Sequence, residues 1–209
     1  MPDVRLGREE ELVAFFVKHC GGDGNLGRTR LMKLLYLADY EARRFLGHPV
    51  SGAKYIWHFF GPYDRRFPSW ISRLRDRGVL VETPVAYPSG KEGFLFTPGS
   101  KQATQSFSPV EYEILSYVCR HYSRVDLREL LEDVVYQTEP MMRAKKLKGK
   151  ATEKPLEMDI VNGTKLRDTT VRLDELLERR RQLRAGEGLP HSDAMTALDQ
   201  KLQSLDAAA

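Results

Sequence analysis

"LMKLLYLADYEARRFLGHPVSGAKYIWHFFGPYD", residues 31–64, joins a helical pattern, an aromatic run and a glycine-proline pair in one segment. Apolar residues recur at steps of three and four, which predicts a helix over 29–47 that ends at a glycine. The aromatic and branched residues of 53–60 then predict a short extended segment. Because Gly61 and Pro62 interrupt that pattern, we expect the chain to turn there.

The predicted helix also has a polar side, formed by Lys33, Tyr36, Asp39, Tyr40 and Arg43. The simplest interpretation of such a set is a face exposed to solvent. Asp39 and Arg43 lie one turn apart, so they can form a surface ion pair of modest value. The sequence thus predicts one buried and one solvated face for this helix.

The flanking sequence predicts further helices and a β-hairpin. An apolar stripe over 9–20 indicates a helix that stops at the glycine-rich GGDGN. A second stripe over 67–78 indicates another helix, and the alternation of apolar and polar residues on both sides of PSGKEG predicts a hairpin at about 79–97. A helix followed by a hairpin resembles the wing of a winged helix.

Helix-start signals are clearest in the second half of the chain. Ser108 is followed by proline and, three residues along, by Glu111, which is the pattern of a capping box. Asp126 and Glu129 repeat this arrangement at the start of the next predicted helix, which should end near Pro140. Two more helices are therefore expected between the hairpin and the C-terminal region.

The C-terminal region, 161–209, has leucines at helical spacing among many charged residues. Its stripes are narrow, so the segment should form a pair of amphipathic helices that cover apolar surface elsewhere. We interpret the chain as a helical domain over 1–160 with a C-terminal helical extension over 161–209. The fold class is then mainly α (α+β), and a homodimer through the C-terminal helices is one use of the extension.

Composition limits the classes of function. The chain has 209 residues, 41% of them hydrophobic, and a formal net charge of +4, which is too small to demand a polyanionic partner. No apolar run approaches the roughly 20 residues that cross a bilayer, so we expect no membrane association and a cytoplasmic location. Cys20 and Cys119 are far apart in sequence, and we interpret them as separate buried thiols rather than a disulfide.

The sequence lacks the common motifs of catalysis and metal binding. Its five histidines are scattered, and it has no H-E-x-x-H, no paired C-x-x-C and no glycine-rich phosphate loop. Asp39, His58 and Asp64 are the possible acid-base groups of an enzyme, but a structural role for each is the simpler interpretation. We therefore predict that the protein is not an enzyme and uses no cofactor or metal.

The order of several short sequences resembles a known family. They are LMKLLYLADY, LGHPVSGAKY, the aromatic stretch ending in FGPYD, RFPSWISRLRDRGVLVE, SPVEYEILSYVCRHYS and DLRELLEDVVYQTEP. Together, over roughly 9–160, they resemble the Panacea antitoxin domain, which includes SocA-like and phage-associated antitoxins. The last motif of that family commonly holds a threonine-histidine pair and a tryptophan; Thr138, Glu139 and Pro140 stand here, but that histidine and tryptophan are missing.

The resemblance implies a mainly α-helical antitoxin of a bacterial or phage toxin-antitoxin pair, which neutralises a cognate toxin by direct protein binding. Aromatic and charged side chains suit such an interface. The residues predicted to bind the partner are Tyr36, Asp39, Tyr40, Trp57, Tyr63, Asp64, Arg65 and Trp70.

Two alternatives remain at this point. A proteolytic adaptor would deliver the bound toxin to an ATP-dependent protease. A winged-helix-like nucleic-acid-binding regulator would use Arg73, Arg75 and Arg77 or the basic cluster at 143–150 to contact phosphates.

Overall fold

The computed structural model of the protein describes residues 6–86, 90, 92–146 and 156. This part of the chain is mainly α, with two small antiparallel strand pairs, which confirms the predicted fold class. The elements in chain order are α1 (Arg8–Cys20), α2 (Arg28–Leu46), β1 (Ile56–His58), β2 (Gly61–Tyr63), α3 (Phe67–Asp76), β3 (Leu80–Ala86), β4 (Glu92–Pro98), α4 (Pro109–Tyr122), α5 (Leu127–Glu129) and α6 (Glu139–Lys146).

Helix α2 lies at the centre of the fold. It packs against α1, α4, β2 and β4, and all of its residues from 30 to 39 are buried. Gly47 ends the helix with a φ of 79°, a left-handed conformation that glycine adopts without strain. The predicted helix at 29–47 is therefore confirmed to within one residue at each end. Other elements cover more of its surface than the sequence indicates.

Both strand pairs are antiparallel hairpins. In the larger one, β3 and β4 pair from Leu80 with Pro98 to Ala86 with Glu92, which confirms the predicted hairpin at 79–97. In the smaller one, His58 pairs with Gly61, so the chain turns within two residues. The sequence predicted the turn at the glycine-proline pair, whereas the structure places that pair inside β2, where Gly61 has a φ of 88°.

The capping signals correctly located two helix starts. The N–H of Glu111 donates to Oγ of Ser108 at 3.3 Å, and the N–H of Ser108 donates to the Glu111 carboxylate at 2.7 Å, which completes the capping box. Asp126 accepts from the N–H of Arg128 at 2.8 Å and so caps α5. After one turn, α5 widens into a π turn at 130–134 and then tightens into a 3₁₀ turn at 135–137, instead of continuing as one helix to Pro140.

The two cysteines meet. Cys20 at the end of α1 and Cys119 in α4 form a disulfide, with Cα atoms 6.6 Å apart. The prediction of two separate thiols was therefore wrong, because the side-by-side packing of α1 and α4 brings together residues that are 99 positions apart in sequence.

The C-terminal extension at 161–209, with its predicted helical hairpin and homodimer contact, lies outside the described residues. The domain boundary at 160 remains a prediction for the same reason. Among the helices that the structure describes, none combines the length and the apolar character needed to span a bilayer.

Candidate functional site

Helix α2 carries a row of buried polar side chains at every third position: Arg30, Lys33, Tyr36 and Asp39. The polar side of this helix was expected to face solvent, and for Lys33, Tyr36 and Asp39 that prediction was wrong. Other elements cover the row, and each of its members reaches a hydrogen-bonding partner on one of those elements. Polar groups buried in this way are stable only because they are paired.

The first two members of the row bind main-chain carbonyl groups. Arg30 donates to the carbonyl oxygens of Ser123 at 3.1 Å and Val125 at 2.6 Å, just beyond α4. The Nζ of Lys33 donates to the carbonyl oxygen of Pro62 in β2 at 2.7 Å. Both contacts hold non-helical segments against the central helix.

The last two members use side-chain partners. The hydroxyls of Tyr36 and Thr138 lie 2.7 Å apart, which joins α2 to the segment before α6. The Asp39 carboxylate accepts from the N–H of Ser51 at 2.7 Å and from the hydroxyl of Tyr55 at 2.8 Å. Burial raises the pKa of Asp39, and these hydrogen bonds oppose that rise because they stabilise the charged carboxylate.

A second buried carboxylate, Asp64, fixes the chain just after β2. It accepts from the N–H of Lys54 at 2.6 Å and from the guanidinium of Arg66 at 2.8 Å. Burial raises the pKa of Asp64, but the hydrogen bonds from Arg66 and Lys54 outweigh it and the net pKa is lowered. Arg66 also donates to the carbonyl oxygen of Gly52 at 2.7 Å, so the loop before β1 is held from both ends.

The smaller hairpin, residues 56–63, exposes two phenylalanines and is called the Phe hairpin below. Phe59 and Phe60 form its turn and are 73% and 58% exposed. Behind the turn, Trp57 stacks on Tyr136 with ring centroids 6.2 Å apart. Gly61 lies so close to the same tyrosine that a Cβ on it would be 2.9 Å from Cε1 of Tyr136. The turn is therefore apolar, exposed and backed by packed residues.

Two depressions lie beside Phe60. The first, called the Lys33 pocket, has a volume of about 130 Å³. Its wall includes Arg28, Lys33, His58, Phe60, Tyr63 and Phe67. The second is a wider groove of about 550 Å³ between the Phe hairpin and α5, bordered by Thr29, Phe60, Leu127, Leu131 and Tyr136. Phe60 borders both, so a molecule that contacts this side chain has a recess on either side.

The structure divides the eight residues predicted to bind a partner into two sets. Tyr36, Asp39, Asp64 and Trp70 lie in the interior, where each is at most 4% exposed. These four side chains are buried in the free protein and form no contact surface there, so their predicted role in binding stays a prediction. The partly or fully exposed residues are Tyr40, Trp57, Tyr63 and Arg65, and their role in binding remains a proposal.

The arginines suggested for nucleic-acid binding are engaged within the protein. Arg73 forms an ion pair with Glu10, and Arg77 reaches the same carboxylate at 3.1 Å. Arg75 pairs with Glu82 at 3.2 Å. Because these contacts already offset their charge, the three arginines are less suited to phosphates than the sequence indicates. The basic cluster at 143–150 is described only as far as residue 146.

The possible acid-base residues do not form a common site. Asp39 and Asp64 both hold the loop before β1, as described above, whereas the ring of His58 stacks on Tyr63 at 5.0 Å. Within the described residues, no group of three or more histidine, cysteine and acidic side chains could hold a metal ion.

Sequence reasoning missed the residues that make this surface distinctive. Lys33 was taken as solvent-exposed, and Phe59 and Phe60 were read as part of one extended segment. The only signal in the sequence is the pair of phenylalanines directly before a glycine and a proline, in HFFGP. Two-residue hairpin turns usually contain asparagine, aspartate or glycine, so a turn made of two phenylalanines was not expected.

One of three comparisons with known proteins found a match. No curated protein and no solved structure matches the chain. A family model described as "Antitoxin SocA-like, Panacea domain" matches residues 31–140, a range that contains α2 from Leu31 onward, the Phe hairpin and most of the residues that line the Lys33 pocket. Because this range is more than half of the 209 residues, the chain belongs to the SocA-like antitoxin family with a Panacea domain.

Proposed function

We propose that this protein is an antitoxin that neutralises its toxin by direct binding, and that the Phe hairpin is the centre of the contact surface. The observation that carries the proposal is the exposure of Phe59 and Phe60 side by side in a two-residue turn. Burying one such side chain against a partner contributes about 1.5–3 kcal/mol to the free energy of binding. The free protein, in which both side chains are exposed, lacks this contribution. Aromatic residues are also enriched among those that dominate binding energy.

The backing of the turn supports the same conclusion. The Nζ of Lys33 donates to the carbonyl oxygen of Pro62. Tyr136 packs on Gly61, and Trp57 stacks on Tyr136. A turn held in this way presents its phenylalanines with little loss of conformational entropy on binding. The hairpin therefore has the two properties of a binding anchor, exposed apolar area and a preformed conformation.

The recesses around Phe60 give the surface its shape. A convex aromatic turn beside a pocket and a groove can interlock with a partner instead of meeting it edge to edge. Trp57 and Tyr63 belong to the hairpin and Arg65 follows it in the chain, so these three predicted contacts extend the surface. Tyr40 stacks on Tyr36 along α2 and is the fourth exposed candidate.

Replacing the two phenylalanines tests the proposal. The Phe59→Ser/Phe60→Ser variant is produced together with the toxin candidate from the neighbouring gene, and growth rescue and the Kd of the purified pair are measured. We expect at least a hundredfold weaker binding and loss of rescue, because two anchors of about 2 kcal/mol each are removed. The matched control is Val81→Ser on β3, where the valine is 48% exposed and distant in sequence from the hairpin.

The two variants together decide the outcome. Full rescue by Phe59→Ser/Phe60→Ser would show that the toxin binds elsewhere. Loss of rescue by Val81→Ser to the same extent would show that the assay reports general surface damage. The half-life of the toxin in cells separates neutralisation by binding alone, which leaves the half-life unchanged or longer, from delivery to a protease, which shortens it.

The C-terminal extension at 161–209 is a second candidate contact, for the toxin or for another copy of the chain. Its narrow leucine stripes need apolar surface to cover. Truncation after Ile160 tests this part of the proposal. A folded domain that loses its dimer or its toxin supports the contact, whereas a truncated chain that neutralises at full strength removes it.

A further inference from the structure

Lys33 is a buried cation without a counter-ion. The side chain is 2% exposed, and the carbonyl oxygen of Pro62 is the one acceptor that it reaches among the described residues. An ammonium group has three donors, so two are left for another molecule. No carboxylate in the described part of the chain forms an ion pair with it, although buried charges are normally paired. Lys33 is also one of the residues that line a pocket.

The charged side chains that line the Lys33 pocket, Lys33 and Arg28, are both basic. His58 also lines it, and the lining contains no aspartate or glutamate. Arg28 is offset by Glu82, whose carboxylate lies 3.1 Å from its Nε, so the unbalanced charge is that of Lys33. The remaining wall is largely aromatic and aliphatic, with Phe67 and Ile71 contributed by α3. Such a pocket favours a small group that is negative at its tip and apolar along its stem.

The volume of the pocket limits the size of that group. A volume of about 130 Å³ is several times the roughly 10–15 Å³ that one water molecule needs by this measure, so the pocket has room for a small group of atoms. A single short acidic side chain fits this space. Phe60 lies at the border of the pocket and in the exposed turn. A residue of the toxin that places its carboxylate in the pocket therefore brings its neighbours against Phe60.

We propose that the Lys33 pocket receives the carboxylate of an aspartate or glutamate side chain of the toxin, held by the Lys33 ammonium. This inference rests on the proposed function and specifies the chemistry of the partner. A charge-assisted hydrogen bond in a site shielded from water is stronger than one on the surface. The carboxylate of the toxin also offsets the charge of the Lys33 ammonium, whose burial is otherwise unfavourable. Binding therefore removes an unfavourable feature of the free protein.

The ionisation of Lys33 agrees with this geometry. Burial lowers the pKa of Lys33 to about 7, so at neutral pH the amine is partly deprotonated in the free protein. A carboxylate beside it stabilises the ammonium form and raises the pKa again. The other charged or titratable groups around the pocket are Arg28 from α2, His58 from β1, Tyr63 from β2 and Glu82 from β3.

The Lys33→Met variant tests the inference in the full chain. Methionine keeps the length and apolar stem of lysine but removes the charge. We expect its Kd for the neighbouring-gene toxin to rise at least tenfold, while the control Lys18→Met, an exposed lysine in α1, changes the Kd less than twofold. A Lys33→Met protein that is folded and binds with an unchanged Kd overturns the inference.

The two proposals fail in distinguishable ways. If Phe59→Ser/Phe60→Ser loses the toxin and Lys33→Met retains it, the acidic anchor is wrong and the hairpin surface stands. If the double phenylalanine variant retains the toxin, the hairpin surface itself is wrong.

A second measurement needs no substitution, and it covers the case in which Lys33→Met does not fold. The unmodified chain is titrated with sodium acetate and, separately, with the uncharged acetamide, while the methyl resonances of Met32 and Ile71 in the pocket wall are followed. We expect a saturable shift with acetate at millimolar concentration and none with acetamide. Equal responses to both, or no response to either, overturn the inference. Acetate binding combined with unchanged toxin binding by folded Lys33→Met would assign the pocket to free small carboxylates instead.

Discussion

Helix α2 and the Phe hairpin reverse the usual distribution of side chains in opposite ways. The helix buries a row of polar residues, whereas the hairpin exposes two phenylalanines. Each member of the polar row forms at least one hydrogen bond to a segment that surrounds it, so contacts within the molecule explain most of its burial. The exposed pair has no such explanation in the described structure. The difference indicates that the polar row serves the fold, whereas the aromatic turn is the surface proposed above for a partner.

Lys33 belongs to both regions. It is a member of the buried row, and it lies beneath the Phe hairpin at the wall of a pocket. Of the two cations in the row, Arg30 has the carboxylate of Asp126 within electrostatic range, whereas burial alone governs the pKa of Lys33. Lys33 therefore contributes both to the fold and to the proposed binding site.

The largest effect is expected from the row. Asp39→Ala removes the acceptor for Ser51 and Tyr55 and leaves their donors buried, so we expect a loss of about 3–4 kcal/mol in the free energy of unfolding, measured by urea denaturation. The matched control is Asp76→Ala, where an exposed carboxylate pairs with Arg75 and the change should stay below about 0.5 kcal/mol. Similar values for the two variants would contradict the assigned role of the row.

The second effect concerns the support of the hairpin. Gly61→Val places a branched side chain at a φ of 88° and within 2.9 Å of Tyr136, so we expect a loss of about 2–3 kcal/mol in the same measurement. Gly24→Val is the control, because Gly24 has a φ of 65° but nothing within 4 Å of its Cβ position. If the two substitutions are equally destabilising, the contact with Tyr136 adds nothing to the backbone strain.

The third effect is a dependence on pH. The pKa of Lys33 is about 7 in the folded protein, below the ordinary value of 10.5, so the unfolded chain binds more protons between these values. The free energy of unfolding should therefore rise with pH from 7 to 9, by up to about 2 kcal/mol, and Lys33→Met should abolish that rise. Urea denaturation of both proteins at pH 7, 8 and 9 measures it. A slope that persists in Lys33→Met would assign it to another group.

The smallest effect on stability belongs to the turn. Phe59→Ser/Phe60→Ser removes apolar surface that is already in contact with water, so the free energy of unfolding should change by less than about 0.5 kcal/mol. Thermal or urea unfolding of the free protein measures it, beside the binding assay proposed above. A large loss of stability would mean that the phenylalanines support the fold, and their exposure would lose its functional meaning.

The sequence predicted those elements whose signals are local. Helix α4 begins where Ser108 and Glu111 indicate, and the larger hairpin lies where alternation and a glycine-containing turn indicate. The long helix at the centre was found from the spacing of its leucines. Each of these features depends on residues within a few positions of one another, which is the range over which propensity and capping act.

The features that define the candidate site depend on tertiary contacts. Lys33, Tyr36 and Asp39 look like a solvated face until Pro62, Thr138 and Ser51 are seen to cover them. The disulfide between α1 and α4 depends on helix packing in the same way. Single-sequence periodicity shows which residues are apolar, but it does not show which polar residues find partners in the interior.

The π turn at 130–134 has a consequence for insertions and deletions. Leu130 and Val135 are both fully buried, although residues five apart in a regular α-helix point about 140° away from each other. The wider turn accommodates one extra residue, and Glu132 within it is exposed. Deleting one codon there would return the segment to an ordinary helix and rotate Tyr136 away from Trp57. A single in-frame deletion would thus change the support of the Phe hairpin during evolution without altering any residue of the hairpin.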